Sequence, residues 1–368
     1  MVYHGGYSAR VLGVLLKCAL AMAVRGSYES SVRDRTRRRM RNQRRRRRRG
    51  WPLLIFGLLL CLFVATSFLW YSERSTETTM VPTVDRPTSA EPPQPPAPAR
   101  SYAVEELHSK LPGISEAHAG THGVVIFDPY SGEIASLSAD QRFVAASLSK
   151  LYALLTLYKA ASRGELSLDD EITMRSSDVW AYGTGVLYRY PVGHTMTLRE
   201  CAEFMIKESD NTAEVMLNRY LGEENIEAEL DRIGATSTAY WIPNTTTPND
   251  VLLVLKKIAD PSYTTPALSA EMLELMTNTS FEDRLPQPLP GGTRVAHKIG
   301  SYGDTFSDAG VVFPEGSRGV KDAYFIVVIA RDTTEWTARS GIRDISLATY
   351  RLLGELLTRP EAATGPDP

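Results

Sequence analysis

The chain has 368 residues, 43% hydrophobic and 23% charged, with a formal net charge of −2; this suffices for one domain with a sizeable core and argues against a disordered or collagen-like chain. Three cysteines are too few for a disulfide framework, and the six histidines show no His-Glu-x-x-His or other tight ligand spacing, so neither a metal nor a cofactor is expected. No Gly-rich phosphate loop follows a strand, which argues against a nucleotide enzyme.

The near-neutral total hides an asymmetry. Residues 1–50 carry 15 Lys+Arg against 2 Asp+Glu, so the rest of the chain is acidic. The basic head ends in Arg44 to Arg49. It is followed by Trp51 to Tyr71, a run without formal charge that is long enough to cross a bilayer, with Trp51, Trp70 and Tyr71 where an aromatic belt would lie. The expectation is a cytoplasmic head over 1–50, one transmembrane helix over 51–71, and a catalytic domain outside the cytoplasm, periplasmic or extracellular. Next to a span, the arginine run reads as a topology signal that also binds anionic membrane lipid, and not as a nucleic-acid site. Residues 72–101, with Glu91-Pro92-Pro93-Gln94-Pro95-Pro96-Ala97-Pro98, read as an extended linker. Residues 102–360 read as the catalytic domain and 361–368 as a tail.

Within that domain, two short runs around the turn Asp128-Pro129-Tyr130-Ser131-Gly132 predict a strand–hairpin–strand at 123–127 and 133–137. A mostly helical stretch follows from Ser147 to Met276. Strand-like runs return at 294–299, 309–313 and 323–330, and a last helix is expected over 342–357. Strands from both ends of the domain around a helical block predict an α+β fold: one antiparallel sheet flanked by helices, an inserted all-helical lobe, and a site in the cleft between them.

Three motifs fall in order along this domain. In Ser147-Leu148-Ser149-Lys150 the serine and lysine are three apart, so on a helix they share a face and the amine can take the hydroxyl proton. The apolar run through Tyr158 reads as a buried helix whose free N–H groups near Ser147 favour a developing oxyanion. Thr197 can cap the next helix, which presents Leu198, Cys201, Ala202, Met205 and Ile206 on one face and ends at Ser209-Asp210-Asn211. There Ser209 can relay a proton, Asn211 can orient a substrate amide and the Lys150 amine, and Asp210 braces the turn. In Lys298-Ile299-Gly300 a lysine on a strand edge adds a second positive charge that can ease proton loss from Ser209. Gly300 lets backbone come close to a ligand, and the Ser301 N–H is a second oxyanion donor beside that of Ser147. His297, on the opposite strand face from Lys298, reads as structural.

With these motifs in hand, residues from about 123 to 357 resemble a class A β-lactamase-related serine hydrolase, the group shared with D-alanyl-D-alanine peptidases. The segment Trp180 to Leu187 is similar to the family's Gly-Thr-Gly stretch beside the site, and Gly234–Thr238 with Thr245–Pro248 resemble the flanks of its Ω-loop. The resemblance implies an acyl-enzyme on Ser147, with Lys150 as base or relay, Ser209 as shuttle and Lys298 as electrostatic partner. Its implied substrates are β-lactams or D-alanyl-terminated peptidoglycan peptides. Two departures stand out. Only Trp241-Ile242-Pro243-Asn244 separates the Ω-loop flanks, so the family's water-activating Glu has no counterpart, which implies slow deacylation. Ile299 replaces the hydroxyl residue that would bind a substrate carboxylate. A D-alanyl-D-alanine carboxypeptidase or transpeptidase, that is a penicillin-binding protein, is the alternative within the class. A catalytically inactive envelope-binding module is the alternative outside it. Oligomeric state is not legible.

Overall fold

The computed structural model describes residues 97–358. Five strands form an antiparallel sheet: β1 (Thr121–Phe127), β2 (Ile134–Leu137), β7 (Arg294–Tyr302), β8 (Thr305–Phe313) and β9 (Tyr324–Arg331), in the spatial order β2-β1-β9-β8-β7. The N-terminal hairpin therefore pairs with the last strand, as an α+β arrangement built from both ends of the domain requires. β9 is central and reads Tyr-Phe-Ile-Val-Val-Ile-Ala-Arg, buried along almost its whole length, the near-continuous apolar pattern of a strand covered on both faces.

Period-two alternation divides the core into two layers. Val124 and Ile126 of β1, with Val328 of β9, pack with Val104, Leu107, Ile342 and Ile345. These come from α1 (Ala97–Glu116) and α8 (Glu335–Thr349). Val125 of β1 and Val327 of β9 face the other way, into a larger cluster shared with the helical lobe. That lobe contains α2 (Ser149–Ser162), α3 (Leu198–Lys207), α4 (Asn211–Leu221), α5 (Glu223–Ile233), α6 (Pro248–Ile258) and α7 (Pro266–Leu275), with two-stranded pairs β3–β6 (Phe143–Val144, Thr245–Thr246) and β4–β5 (Glu171–Thr173, Thr195–Thr197). α2 is the lobe's axis, buried at nearly every position from Ser149 to Tyr158. α3 begins as expected: Thr197 accepts from the Glu200 N–H at 3.1 Å while Glu200 accepts from the Thr197 N–H at 2.8 Å, a reciprocal capping box.

Two boundaries differ from expectation. α1 starts at Ala97, inside the segment read as linker, and its Arg100 is fully buried in an ion pair with Asp128 of the β1–β2 turn. Pro98, Pro112 and Gly113 within this helix mask its pattern, since proline normally reads as a helix breaker. The last long helix begins at Glu335 rather than near 342, with the Thr334 hydroxyl accepting from the Thr337 N–H as its cap.

The single-pass localisation is corrected. No helix among the described residues is long and apolar enough to cross a membrane, and the Trp51–Tyr71 run, the head and most of the linker lie outside the described residues. The described chain gives no support to a membrane-lipid partner.

Candidate active site

Ser147 sits half-buried in a 3₁₀ turn, Ala146–Leu148, just ahead of α2. The turn is held from outside: the Ala145 N–H donates to the Asn244 carbonyl at 2.9 Å, and Asn244 Nδ2 donates to the Ala146 carbonyl at 3.3 Å. Ala146 has φ +49°, a left-handed conformation that costs an alanine roughly 1–3 kcal/mol and persists only where surrounding contacts fix it. One turn along, Lys150 is buried. Its Nζ lies 2.9 Å from Ser147 Oγ, 2.7 Å from Asn211 Oδ1 and 3.1 Å from Glu214 Oε2. An ammonium has three hydrogens, and here each has an acceptor. Glu214 also accepts the Ser149 hydroxyl on Oε1 at 2.7 Å.

Ser209 occupies the position after the α3 C-cap with φ +50°, where glycine is usual, and its side chain is buried. Lys298 Nζ donates to Ser209 Oγ at 2.9 Å and to its neighbour's carbonyl, Ile299, at 3.2 Å. Burial, and after it the charge of Lys150, hold the Lys298 ammonium well below the ordinary lysine range. Asp210 caps α4 by accepting from the Ala213 N–H at 2.9 Å, and it also accepts from the N–H groups of Val186 and Leu187 at 2.5 and 2.8 Å. Asn211 spends its Nδ2 on the Tyr182 carbonyl at 2.8 Å and its Oδ1 on Lys150. Its acceptor holds the lysine amine, while its donor is engaged within the protein.

The Gly-Thr-Gly segment crosses directly over this motif. A Cβ on Gly183 (φ +84°) would stand 2.6 Å from Asn211 Nδ2, and one on Gly185 (φ +111°) 2.3 Å from the Asp210 carboxylate. Both space and backbone conformation require glycine there.

β7 is the free edge of the sheet. Its register with β8 runs without a bulge from Arg294↔Phe313 to Tyr302↔Thr305. The His297 N–H leaves the sheet to reach the Met276 carbonyl at 2.8 Å. In an antiparallel pair N–H directions alternate, so the N–H groups of Ile299 and Ser301 also point off the edge. Gly300 differs in its reason from the sequence expectation: a Cβ there would meet Ser307 Oγ at 2.5 Å and the Ala145 carbonyl at 3.0 Å. What approaches is the Ser307 side chain of β8 and, next to it, the serine-bearing turn, so glycine lets β7 pack against both. The Ile299 side chain is buried and carries no donor. His297 lies between Asp308 (2.9 Å from Nδ1) and Glu282 (3.3 Å from Nε2). Burial opposes its charge, but Asp308 and then Glu282 outweigh this and raise it to about 9.

Seven sequence-chosen residues thus fall into one neighbourhood through two hydrogen-bonded sets, Ser147–Lys150–Asn211 and Ser209–Lys298, with Gly300 packed on the first turn and Ser301 following it. Sequence reasoning missed two more. Glu214 stands three residues after Asn211 on the same helical face, so the i, i+3 rule could have flagged it. Arg284 carries no motif. It is buried and donates from Nη1 to the carbonyls of Gly300 and Ser307 at 2.9 and 2.5 Å and from Nη2 to Ser301 Oγ at 2.7 Å, fastening the end of β7; burial lowers its pKa despite nearby Asp308.

Comparison with known proteins agrees with this architecture. The model of the "Beta-lactamase enzyme family" matches residues 106–353. The chain is 29% identical over 230 residues to beta-lactamase CTX-M-8 of Citrobacter amalonaticus, covering 57% of this chain and 77% of that protein. Among solved structures, PBP-A superimposes with a TM-score of 0.62 at 27% identity, covering 67% of this chain and 95% of that one. A mutant of PBP-A, solved as its acyl-enzyme complex with penicillin G, gives 0.61 at 27% identity over 68% and 96%.

Proposed function

The chain belongs to the beta-lactamase enzyme family as a serine hydrolase, and from that premise we propose that Ser147 is its nucleophile and that β-lactams, or the D-alanyl peptides of the cell wall, acylate it. The observation that carries this reading is the Lys150 amine 2.9 Å from Ser147 Oγ, beside a second lysine–serine pair, Lys298–Ser209, at the same distance. A serine hydroxyl needs an adjacent base to attack a carbonyl, and the departing nitrogen needs a proton. Lys150 serves the first need and Ser209, polarised by Lys298, the second. The backbone N–H groups of Ser147 and Ser301 receive the developing oxyanion. The similarity to PBP-A, which forms an acyl-enzyme with penicillin G in its mutant form, supports the substrate class.

Deacylation is the slow step in this reading. The turn Trp241-Ile242-Pro243-Asn244 contains no carboxylate, and losing a positioned general base typically removes a factor of about 10²–10⁴. A persistent acyl-enzyme fits a penicillin-binding peptidase better than an efficient β-lactamase. Brief mixing with benzylpenicillin followed by intact-mass spectrometry tests this: the expected result is a stoichiometric penicilloyl adduct on Ser147 that lasts for minutes. Rapid multiple turnover without an adduct would overturn the slow step, and no reaction at all would overturn the substrate class.

A further inference from the structure

The contacts of Lys150 are those of a donor, and to serve as the base for Ser147 it needs somewhere to send a proton. Its three acceptors, Ser147 Oγ, Asn211 Oδ1 and Glu214 Oε2, are arranged to take three donated hydrogens, which is the arrangement of an ammonium. An ammonium has no lone pair for the Ser147 proton. It must first give a proton up, and of its three acceptors only a carboxylate holds one readily; an amide oxygen and a hydroxyl do not. Buried glutamates are rare unless paired, and Glu214, 8% exposed, is committed on both oxygens, Oε1 to the Ser149 hydroxyl and Oε2 to Lys150. Its place on α4 follows from sequence: Asn211 and Glu214 are i and i+3 in the first turn, so the residue that orients the amine and the residue that balances its charge present to it together.

We propose that Glu214 is the terminal proton acceptor for acylation of Ser147, a role separate from that of the water-activating carboxylate absent from the 241–244 turn. The proposal rests on the acyl-enzyme reading above. The Lys150 ammonium passes one proton to Glu214 Oε2. The neutral amine then removes the Ser147 hydroxyl proton as Oγ bonds to the carbonyl carbon and the carbonyl oxygen takes up the electron pair. When that pair returns, the C–N bond breaks and the nitrogen leaves with the Ser209 hydroxyl proton. The proton stored on Glu214 replaces that loss on return to the resting state, so the count closes. Glu214 reaches Ser147 through Lys150, which makes it a positioning residue for the forward step and leaves the ester without a base of its own. The other titratable groups facing the pair are Lys298 from β7, with Asp308 and Arg284 beside it, and Tyr240 from the segment after α5, whose buried hydroxyl stays neutral. The lysine repels the Lys150 charge and favours the same transfer.

The test is the rate of Ser147 modification against pH for wild type, Glu214→Gln and Glu214→Asp, using benzylpenicillin and phenylmethylsulfonyl fluoride as probes. Wild type should show a plateau through neutral pH. Glu214→Gln should lose about 10²-fold at pH 7 and recover steadily toward alkaline pH, because solvent hydroxide must then deprotonate Lys150. Glu214→Asp should fall between the two, with a smaller loss concentrated on the acid side and rates approaching wild type toward alkaline pH. A purely structural role would lower the rate equally at every pH, and that result, or an unchanged profile in Glu214→Gln, overturns the proposal. If Glu214→Gln does not fold, Glu214→Asp decides: a loss concentrated on the acid side supports the relay and a uniform loss overturns it. If the sulfonyl fluoride shows this signature while benzylpenicillin leaves Ser147 untouched, the relay stands and the substrate reading falls. If wild-type Ser147 reacts with neither probe, both fall.

Discussion

The Lys298 ammonium donates to the Ser209 hydroxyl at 2.9 Å, across a sequence separation of 89 residues. Through this contact the sheet edge meets the end of α3, and two of the three motifs become one unit. If Ser209 passes protons only while Lys298 holds it, the two side chains should be grossly non-additive. Ser209→Ala and Lys298→Ala should each slow penicillin acylation by about 10²-fold, and the double variant by little more than either alone. Stopped-flow acylation rates check this. A double loss equal to the product of the singles would mean that the pair does not act together.

Ser147→Ala should abolish the covalent adduct without unfolding the domain, since Lys150 keeps Asn211 and Glu214 as acceptors; a stability change within about 1 kcal/mol is expected. Lys150→Ala should behave differently. It leaves the Glu214 carboxylate buried without its cation, a loss on the order of 3 kcal/mol, and Lys150→Ala with Glu214→Ala should recover part of that loss. Chemical denaturation of the three variants and the adduct mass together decide the point.

Gly185→Ala should destabilise the domain by roughly 2–4 kcal/mol. Its φ of +111° is unfavourable for alanine, and the new Cβ would stand 2.3 Å from a carboxylate that three backbone N–H groups already hold in place. Gly193, with φ +94° but no atom within 4 Å of such a Cβ, is the control: Gly193→Ala should cost only the backbone part. Equal melting shifts for the two would refute the packing argument.

His297 sets a pH dependence of stability. An unfolded histidine titrates near 6.5, and in the fold Asp308 and Glu282 overcome burial to raise it to about 9. The folded state therefore binds the proton more tightly. Its contribution, on the order of 3 kcal/mol, is fully present below about pH 6.5 and is lost as pH rises through about 9. Denaturant midpoints should fall over that interval in the wild type and stay flatter in His297→Asn. A wild-type midpoint that rises over the same interval would reverse the sign and remove the imidazolium from the account.

Elements whose physics is local can be read along the chain. The 123–137 hairpin is legible in two short runs around a turn that holds Pro129 and Gly132, α3 in its Thr197–Glu200 box and five-residue apolar face, and the Ser147–Lys150 pair in its three-residue spacing. The missing Ω-loop carboxylate and Ile299 are also plain, because each is one residue read at one position. The remaining features arise when distant segments pack. Arg284 has no local pattern, since its role is to bridge carbonyls that come together when β7 and β8 pair. Glu214 resembles any solvent-facing helical glutamate until α2 and α4 pack and bury it against Lys150. α1 was obscured by prolines that its packing on the sheet tolerates, with Arg100 buried against Asp128. Gly300 is crowded by neighbours that no local rule shows: a Cβ there would meet Ser307 Oγ of β8 at 2.5 Å and the Ala145 carbonyl of the serine turn at 3.0 Å. Local rules report what a segment can form alone, whereas charge pairing and close approach are properties of surfaces that exist only after the segments have met.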